Sequence, residues 1–154
     1  MSLKARIQED VKTAMRAHER ERLGALRLIT AAIKQKEVDE RIELDDEQVL
    51  AVLDKMVKQR RESLEQYEKA GREDLAAKER FELELIQTYL PEPLGEAELA
   101  ELIRATIAEV GAGSLRDMGA VMGALRGRVQ GRADMKAVSE AVKLQLASRA
   151  QLAS

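Results

Sequence analysis

Apolar residues recur along this chain at three- and four-residue intervals, the period of a helix with one buried face. Leu3, Ile7, Val11, Ala14 and Met15 mark a first helix that Ser2 can cap and that should end near Ala17 and His18. Leu23, Leu26, Ile29, Ala32 and Ile33 mark a second. The polar stretch from Val38 to Leu44 reads as a loop, after which Asp45 and Gln48 stand at the spacing of a capping box. They open a long third helix, with Val49, Leu53, Met56, Val57, Leu64 and Tyr67 on one face and Gly71 as its stop. Glu73 and Asp74 begin a fourth helix that turns Leu75, Leu83, Ile86 and Leu90 inward. Pro91 and Pro93 end it, because each blocks continuation and restricts the residue before it.

Beyond the prolines, Leu99, Leu102, Ile103, Ile107 and Val110 define a fifth helix ending at Gly111. Ser114 and Asp117 can cap a sixth with Leu115, Met118, Val121, Met122 and Leu125 inward, and Ala137, Val138, Ala141, Val142 and Leu146 form the seventh. The pattern predicts an all-α chain: an N-terminal four-helix domain over residues 1–90, a proline-containing linker at 91–95, a small three-helix bundle at 96–148 and a frayed tail at 149–154. No period of 20 to 50 residues repeats, so a solenoid is not indicated.

Composition narrows the function classes. Aromatic residues make up only 2% of the 154, and Phe81, Tyr67 and Tyr89 are the full set, which argues against binding single strands by base stacking. Charged residues are 35%, yet the net charge is only -2. Residues 1–93 hold 18 Lys and Arg against 21 Asp and Glu, whereas residues 94–154 hold 8 against 7, so the C-terminal part is the less acidic one. With zero cysteines there are no disulfides and no thiolate metal sites. No apolar run is long enough to cross a membrane, and Met1 to Lys4 lead into an amphipathic helix without the apolar core of a signal peptide, so cytoplasm is the default expectation.

Candidate chemistry is sparse. His18, the one histidine, sits in a charged A-H-E-R-E-R context and reads as an exposed junction residue. Asp45 and Asp46 precede an apolar helical run, so capping explains them better than acid–base catalysis. No phosphate-loop, dinucleotide, zinc-protease or calcium-loop motif occurs, and no catalytic, cofactor-binding or metal-binding residue is assigned. Arg20, Arg27 and Lys34 recur every seven residues on the second helix; the stripe reads as a solvated face or as a contact to a partner.

The densest signal lies between Met118 and Val138. Gly119, Gly123, Gly127 and Gly131 stand there among Arg126, Arg128, Arg132 and Lys136. Gly119 and Gly123 cost about 2 kcal/mol of helix propensity relative to alanine, which predicts close backbone approach by a neighbouring helix. Gly127 and Gly131 read as a helix stop and a turn. The basic turn precedes a helix N-terminus, where free N–H groups favour an anion, and so is a candidate phosphate contact. The alternative is a helix corner whose arginines are only solvated.

These same residues carry a resemblance. V-M-G-A-L-R-G-R-V-Q-G-R-A-D-M-K-A-V at 121–138 resembles the end of the GatB/YqeY family, in which a basic glycine turn leads into G-x-A-(D/N)-x-K-x-V and a last helix. L-R-L-I-T-A-A-I-K at 26–34, Y-E-K-A-G-R-E-D-L at 67–75 and Y-L-P-E-P-L at 89–94 agree, and the match is best to the stand-alone YqeY-like proteins. Met135 stands where relatives often carry glycine or proline. In that family the GatB subunit serves a tRNA-dependent amidotransferase, a carbon–nitrogen ligase with glutamine as amido-N donor, whose catalytic cradle and amidase partner do the chemistry while the helical tail grips tRNA. The resemblance therefore implies a non-catalytic, tRNA-associated module that takes part in such chemistry only within a complex. Arg126, Arg128, Arg132 and Lys136 are the implied RNA contacts, and tRNA and amidotransferase subunits the implied partners. The alternative function is a protein–protein adaptor that docks on an amidotransferase or another partner without touching RNA.

Overall fold

A computed structural model describes residues 1–153. Its elements in chain order are α1 (Leu3–Arg16), α2 (Arg20–Glu40), α3 (Asp46–Lys69), α4 (Glu73–Gln87), α5 (Glu96–Val110), a 3-10 turn at Leu115–Asp117, α6 (Met118–Val129) and α7 (Met135–Ala153). No strand occurs among the described residues, and the fold is all-α. The chain divides into two compact units, Met1–Pro91 and Glu92–Ser154.

In the first unit, Ile7, Leu26, Ile29, Val49, Leu53 and Ile86 are fully buried and draw α1 to α4 around one core. Local chemistry sets the helix ends. The Ser2 hydroxyl accepts from the Ala5 N–H, and Asp45 and Gln48 form the capping box in both directions. The Asp46 carboxylate accepts from the Leu3 N–H at 2.9 Å, which ties the start of α1 to the start of α3. Gly71, with φ +69°, makes the three-residue turn between α3 and α4, so these two helices pack as an antiparallel hairpin. Between them the partly buried Arg60 guanidinium meets Glu82 at 2.9 Å and Glu79 at 3.6 Å. Burial outweighs Arg60 at Glu79 and holds its carboxyl above the usual range. Tyr89, just past α4, donates its phenol O–H to Asp10, and the Arg6 guanidinium lies 5.1 Å from its ring centre.

One boundary differs from the sequence expectation. α2 runs on to Glu40, so Val38, Asp39 and Glu40 are helical and only the residues after them form the loop. Polarity there marks solvent exposure, which a helix tolerates, and the chain leaves the helix at Arg41, whose φ of 57° is left-handed. Glu37 fixes this corner: its carboxylate accepts from Lys4 Nζ at 2.6 Å and from the Leu44 N–H at 3.0 Å. Those bonds hold the Glu37 carboxyl below its usual range.

The second unit has its own core of Ile103, Ile107, Val121, Leu125, Val129, Val138, Val142 and Leu146, all buried. Gly111, at φ +72°, closes α5, and Asp117 accepts from the Gly113 and Ser114 N–H groups ahead of α6. α7 continues through residues 149–153, where the sequence predicts fraying, and Arg149 donates to the Ala112 carbonyl at 3.4 Å. Ser154, the last residue of that expected tail, lies outside the described residues.

Candidate nucleic-acid interface

α6 is the helix on which the candidate site is built. Val121, Leu125 and Val129 recur every four residues and are fully buried, which fixes the helix's rotation. The opposite side then carries Gly119, Gly123 and Gly127, all exposed or partly exposed. Apart from the helix's own backbone and the adjoining residues, no atom of the described residues lies within 4 Å of the place a Cβ would take at any of the three. The expectation that Gly119 and Gly123 admit a neighbouring helix of this chain is thereby corrected, because the space they leave is open. Gly127 is corrected as well: α6 continues through it, since burial of Val129 holds the last turn together, and the turn itself falls to Gly131 at φ +75°.

The four cations are used in different ways. Arg128 donates through Nη1 to the Thr106 hydroxyl at 2.9 Å and through Nη2 to Glu109 at 2.7 Å, a fork that clasps α6 to α5. Thr106 is fully buried and donates its own hydroxyl to the Leu102 carbonyl, so Arg128 completes a satisfied polar pair inside the unit. Arg132 donates through Nε to the Glu92 carbonyl at 3.0 Å, while its own carbonyl accepts from the Leu94 N–H at 2.8 Å. It pins the Glu92-Pro93-Leu94 segment to the turn between α6 and α7. Arg126 and Lys136 are exposed, and neither makes a hydrogen bond or ion pair among the described residues. Two residues apart on a helix means nearly opposite directions, which is why Arg126 and Arg128 part company. Arg126 instead borders the glycine face, three residues from Gly123 and seven from Gly119. At the end of the turn, Asp134 precedes α7 and its carbonyl accepts the first helical bond, from Val138. That places an acid at the helix N-terminus considered for an anion, so the exposed side chains of Arg126 and Lys136 are the better phosphate donors.

Other candidates resolve as scaffold. His18 is exposed at φ 57° in the turn between α1 and α2, and Asp45 and Asp46 serve helix starts. No group of three or more His, Cys, Asp or Glu side chains able to hold a metal occurs among the described residues. No helix there is long and apolar enough to cross a membrane. Sequence reasoning left the α2 stripe undecided. Arg20, Arg27 and Lys34 are all exposed, with Gly24 and Ala31 between them. The acid-free run from Arg22 to Lys36 that sets Arg27 and Lys34 apart is readable in the sequence, and Arg20 lies outside it between Glu19 and Glu21.

Comparison with known proteins places the chain. The YqeY-like protein family matches residues 4–146. Among similar proteins, the one named altered inheritance of mitochondria protein 41, mitochondrial, from Eremothecium gossypii is 40% identical over 96 residues, covering 61% of this chain and 52% of its own length. Its namesake in Pyrenophora tritici-repentis is 32% identical over 119 residues, 76% of this chain and 65% of its own length. That of Saccharomyces cerevisiae is 32% identical over 94 residues, 60% of this chain and 51% of its own length. The chain thus spans about half to two thirds of the relatives it matches. Their names correct the cytoplasmic expectation, since these relatives are mitochondrial proteins. The physical reason is that an apolar leader is diagnostic only of secretion, whereas mitochondrial targeting segments are basic and amphipathic. The chain belongs to the YqeY-like protein family, which is related to the C-terminal tail of the B subunit of tRNA-dependent amidotransferase.

Proposed function

We propose that this chain is a non-catalytic, tRNA-associated module, and that the α6 face edged by Arg126, together with Lys136 at the start of α7, contacts tRNA phosphates. The observation that carries the proposal is the uncovered glycine face. Three glycines inside one helix cost about 3 kcal/mol relative to alanine, and among the described residues no atom from outside the helix's own backbone and the adjoining residues uses the space they leave. Such a surface lets a ligand come up to the helix backbone, and the neighbouring free cation supplies attraction to a polyanion. Family membership supports the same direction, because the related tail grips tRNA. In this proposal Arg128 and Arg132 hold the site in shape without touching RNA, and any amide-transfer chemistry belongs to a partner.

The test is a tRNA titration at several salt concentrations, comparing the native chain with the Arg126→Ala/Lys136→Ala variant. Two engaged cations account for about 1.4 to 1.8 of the magnitude of the logarithmic salt slope, and the variant should lose that share. A native chain without tRNA affinity at low salt, or a variant with an unchanged slope, sinks the proposal. The open face also favours a second function, docking of a partner helix, since glycines four apart allow close axial approach. Gly123→Gln separates the two: loss of binding to amidotransferase subunits with tRNA affinity intact would favour the adaptor.

A further inference from the structure

The first unit carries a second basic surface that the α6 turn does not explain. Along the outer side of α2 stand Arg20, Gly24, Arg27, Ala31 and Lys34, spaced alternately by four and three residues, so all five lie on one line. No side chain beyond a methyl group rises between the cations, and the space above Gly24 is empty to 4 Å. None of the three cations makes a hydrogen bond or ion pair among the described residues. From Arg22 through Lys36, the part of the line that holds Arg27 and Lys34, the sequence has no acid, in a chain whose net charge is -2; Arg20 stands between Glu19 and Glu21, and Glu19 is drawn to Arg22 at 3.9 Å. The nearest following carboxylate, Glu37, is turned to Lys4 and the Leu44 N–H. Its pull on Lys34 is therefore shared with a nearer cation. Beside the line, a groove of about 510 Å³ opens against α1, with Gln8 and Thr30 in its walls.

Size and chemistry choose the ligand. Seven residues of helix advance about 10.5 Å, so the three cations span about 21 Å. A free phosphate or a mononucleotide meets one of them. An extended polyanion meets all three. A protein interface of ordinary composition has an apolar or aromatic centre, and the line has none. Leu28 and Val38 are the large exposed apolar residues of α2, too few and without an aromatic partner for insertion into lipid. We propose that the Arg20, Arg27 and Lys34 line is a docking rail for the sugar–phosphate backbone of a structured RNA, and that Gly24 and Ala31 allow that backbone to lie against the helix. The rail is separate from the α6 turn and does not require it.

Binding of a short RNA duplex and of unfractionated tRNA, measured by fluorescence anisotropy across a salt series, tests the rail in the full-length chain. The Arg20→Gln/Arg27→Gln/Lys34→Gln variant should lose about 2 to 3 from the magnitude of the logarithmic salt slope. Lys55→Gln/Lys58→Gln/Arg61→Gln removes the same charge from exposed positions of α3 and should change the slope by less than about 1. Gly24→Gln keeps every charge and favours the helix, yet should weaken binding about three- to tenfold by filling the floor. Equal losses in the two triple variants would mean that only net charge matters, and would overturn the rail. So would a native chain that ignores both RNAs, or a rail variant that loses only sedimentation with anionic vesicles. The Arg126→Ala/Lys136→Ala variant, run beside these, tells failure of the rail from failure of the α6 contact: the rail's loss should persist in that background.

Discussion

Arg41 shows how one residue can hold a conformation at odds with its type. At φ 57° it occupies the left-handed region, which costs a residue with a Cβ about 1 to 2 kcal/mol. Glycine there would relieve that cost and lose part of the gain to backbone entropy. Arg41→Gly should therefore stabilise the chain by about 0.5 to 1 kcal/mol, read as a higher urea midpoint with an unchanged slope. Gly131 is the reverse case. It is buried at φ +75°, and Gly131→Ala should destabilise by about 1 to 2 kcal/mol. At Glu79 the folded carboxyl is held above its unfolded value, mainly by burial. Its contribution to stability is thus present below the unfolded pKa and lost as pH rises through the folded one. Glu79→Gln should be stabilising at neutral pH, with a gain that vanishes in acid; urea melts at several pH values decide it, and a gain that grows in acid would show the sign to be wrong. Glu37 runs opposite: Lys4 and the Leu44 N–H depress its folded pKa, and the stability they contribute is lost as pH falls through that value. Of the four turn cations, only their clustering was legible. Which two would be occupied was not, because Arg128 reaches back 22 residues to Thr106 and Arg132 reaches 40 to Glu92.

At the scale of elements, the helices were legible because apolar residues recur in each at helical spacing and most have an explicit start or stop. Ser2, the Asp45 and Gln48 pair, Gly71 and Gly111 act where their types and spacing place them. Two inferences failed because a residue's type was read as the end of a helix that in fact runs on. Val38 to Glu40 stay helical because polar side chains in solvent cost a helix little. Gly127 stays helical because Val129 is buried two residues later. The failed packing partner for Gly119 and Gly123 is of another kind, since a sequence states that space is left and not who fills it. It leads to a prediction. Gly119→Ala/Gly123→Ala/Gly127→Ala meets no obstruction and should raise stability by about 2 to 3 kcal/mol in calorimetry or urea unfolding. If the α6 face serves tRNA, the same variant should bind it more weakly than the native chain, a separation of stability from function that a purely structural glycine row would not produce.

For the whole molecule, the consequential fact is that each unit closes its own core from its own residues. Fragments are therefore informative. Residues 1–91, with four helices and a large aliphatic core, should fold alone with a cooperative thermal transition; residues 92–154 are small enough to be marginal, on the order of 3 kcal/mol or less. Circular dichroism melts of the two fragments check both statements. A fragment 1–91 without a cooperative transition would mean that its core depends on the rest of the chain. Arg128→Ala, which would remove the charged donor to the buried Thr106 hydroxyl, leave that hydroxyl only its bond to Leu102 and free Glu109, should lower the stability of the second unit by about 1 to 3 kcal/mol and leave the first unit's transition in place.

The glycine row has one more consequence, in the time domain. A helix that forgoes side-chain cover along one side shields its amides less and opens more readily than its buried side suggests. Amide hydrogens of α6 should exchange with solvent sooner than those of α5, although both helices bury side chains in the same core. Anything that settles on that row, whether tRNA or a partner helix, would slow the exchange. Deuterium uptake at α6 is thus a reporter of occupancy that works without a label and whatever the ligand is.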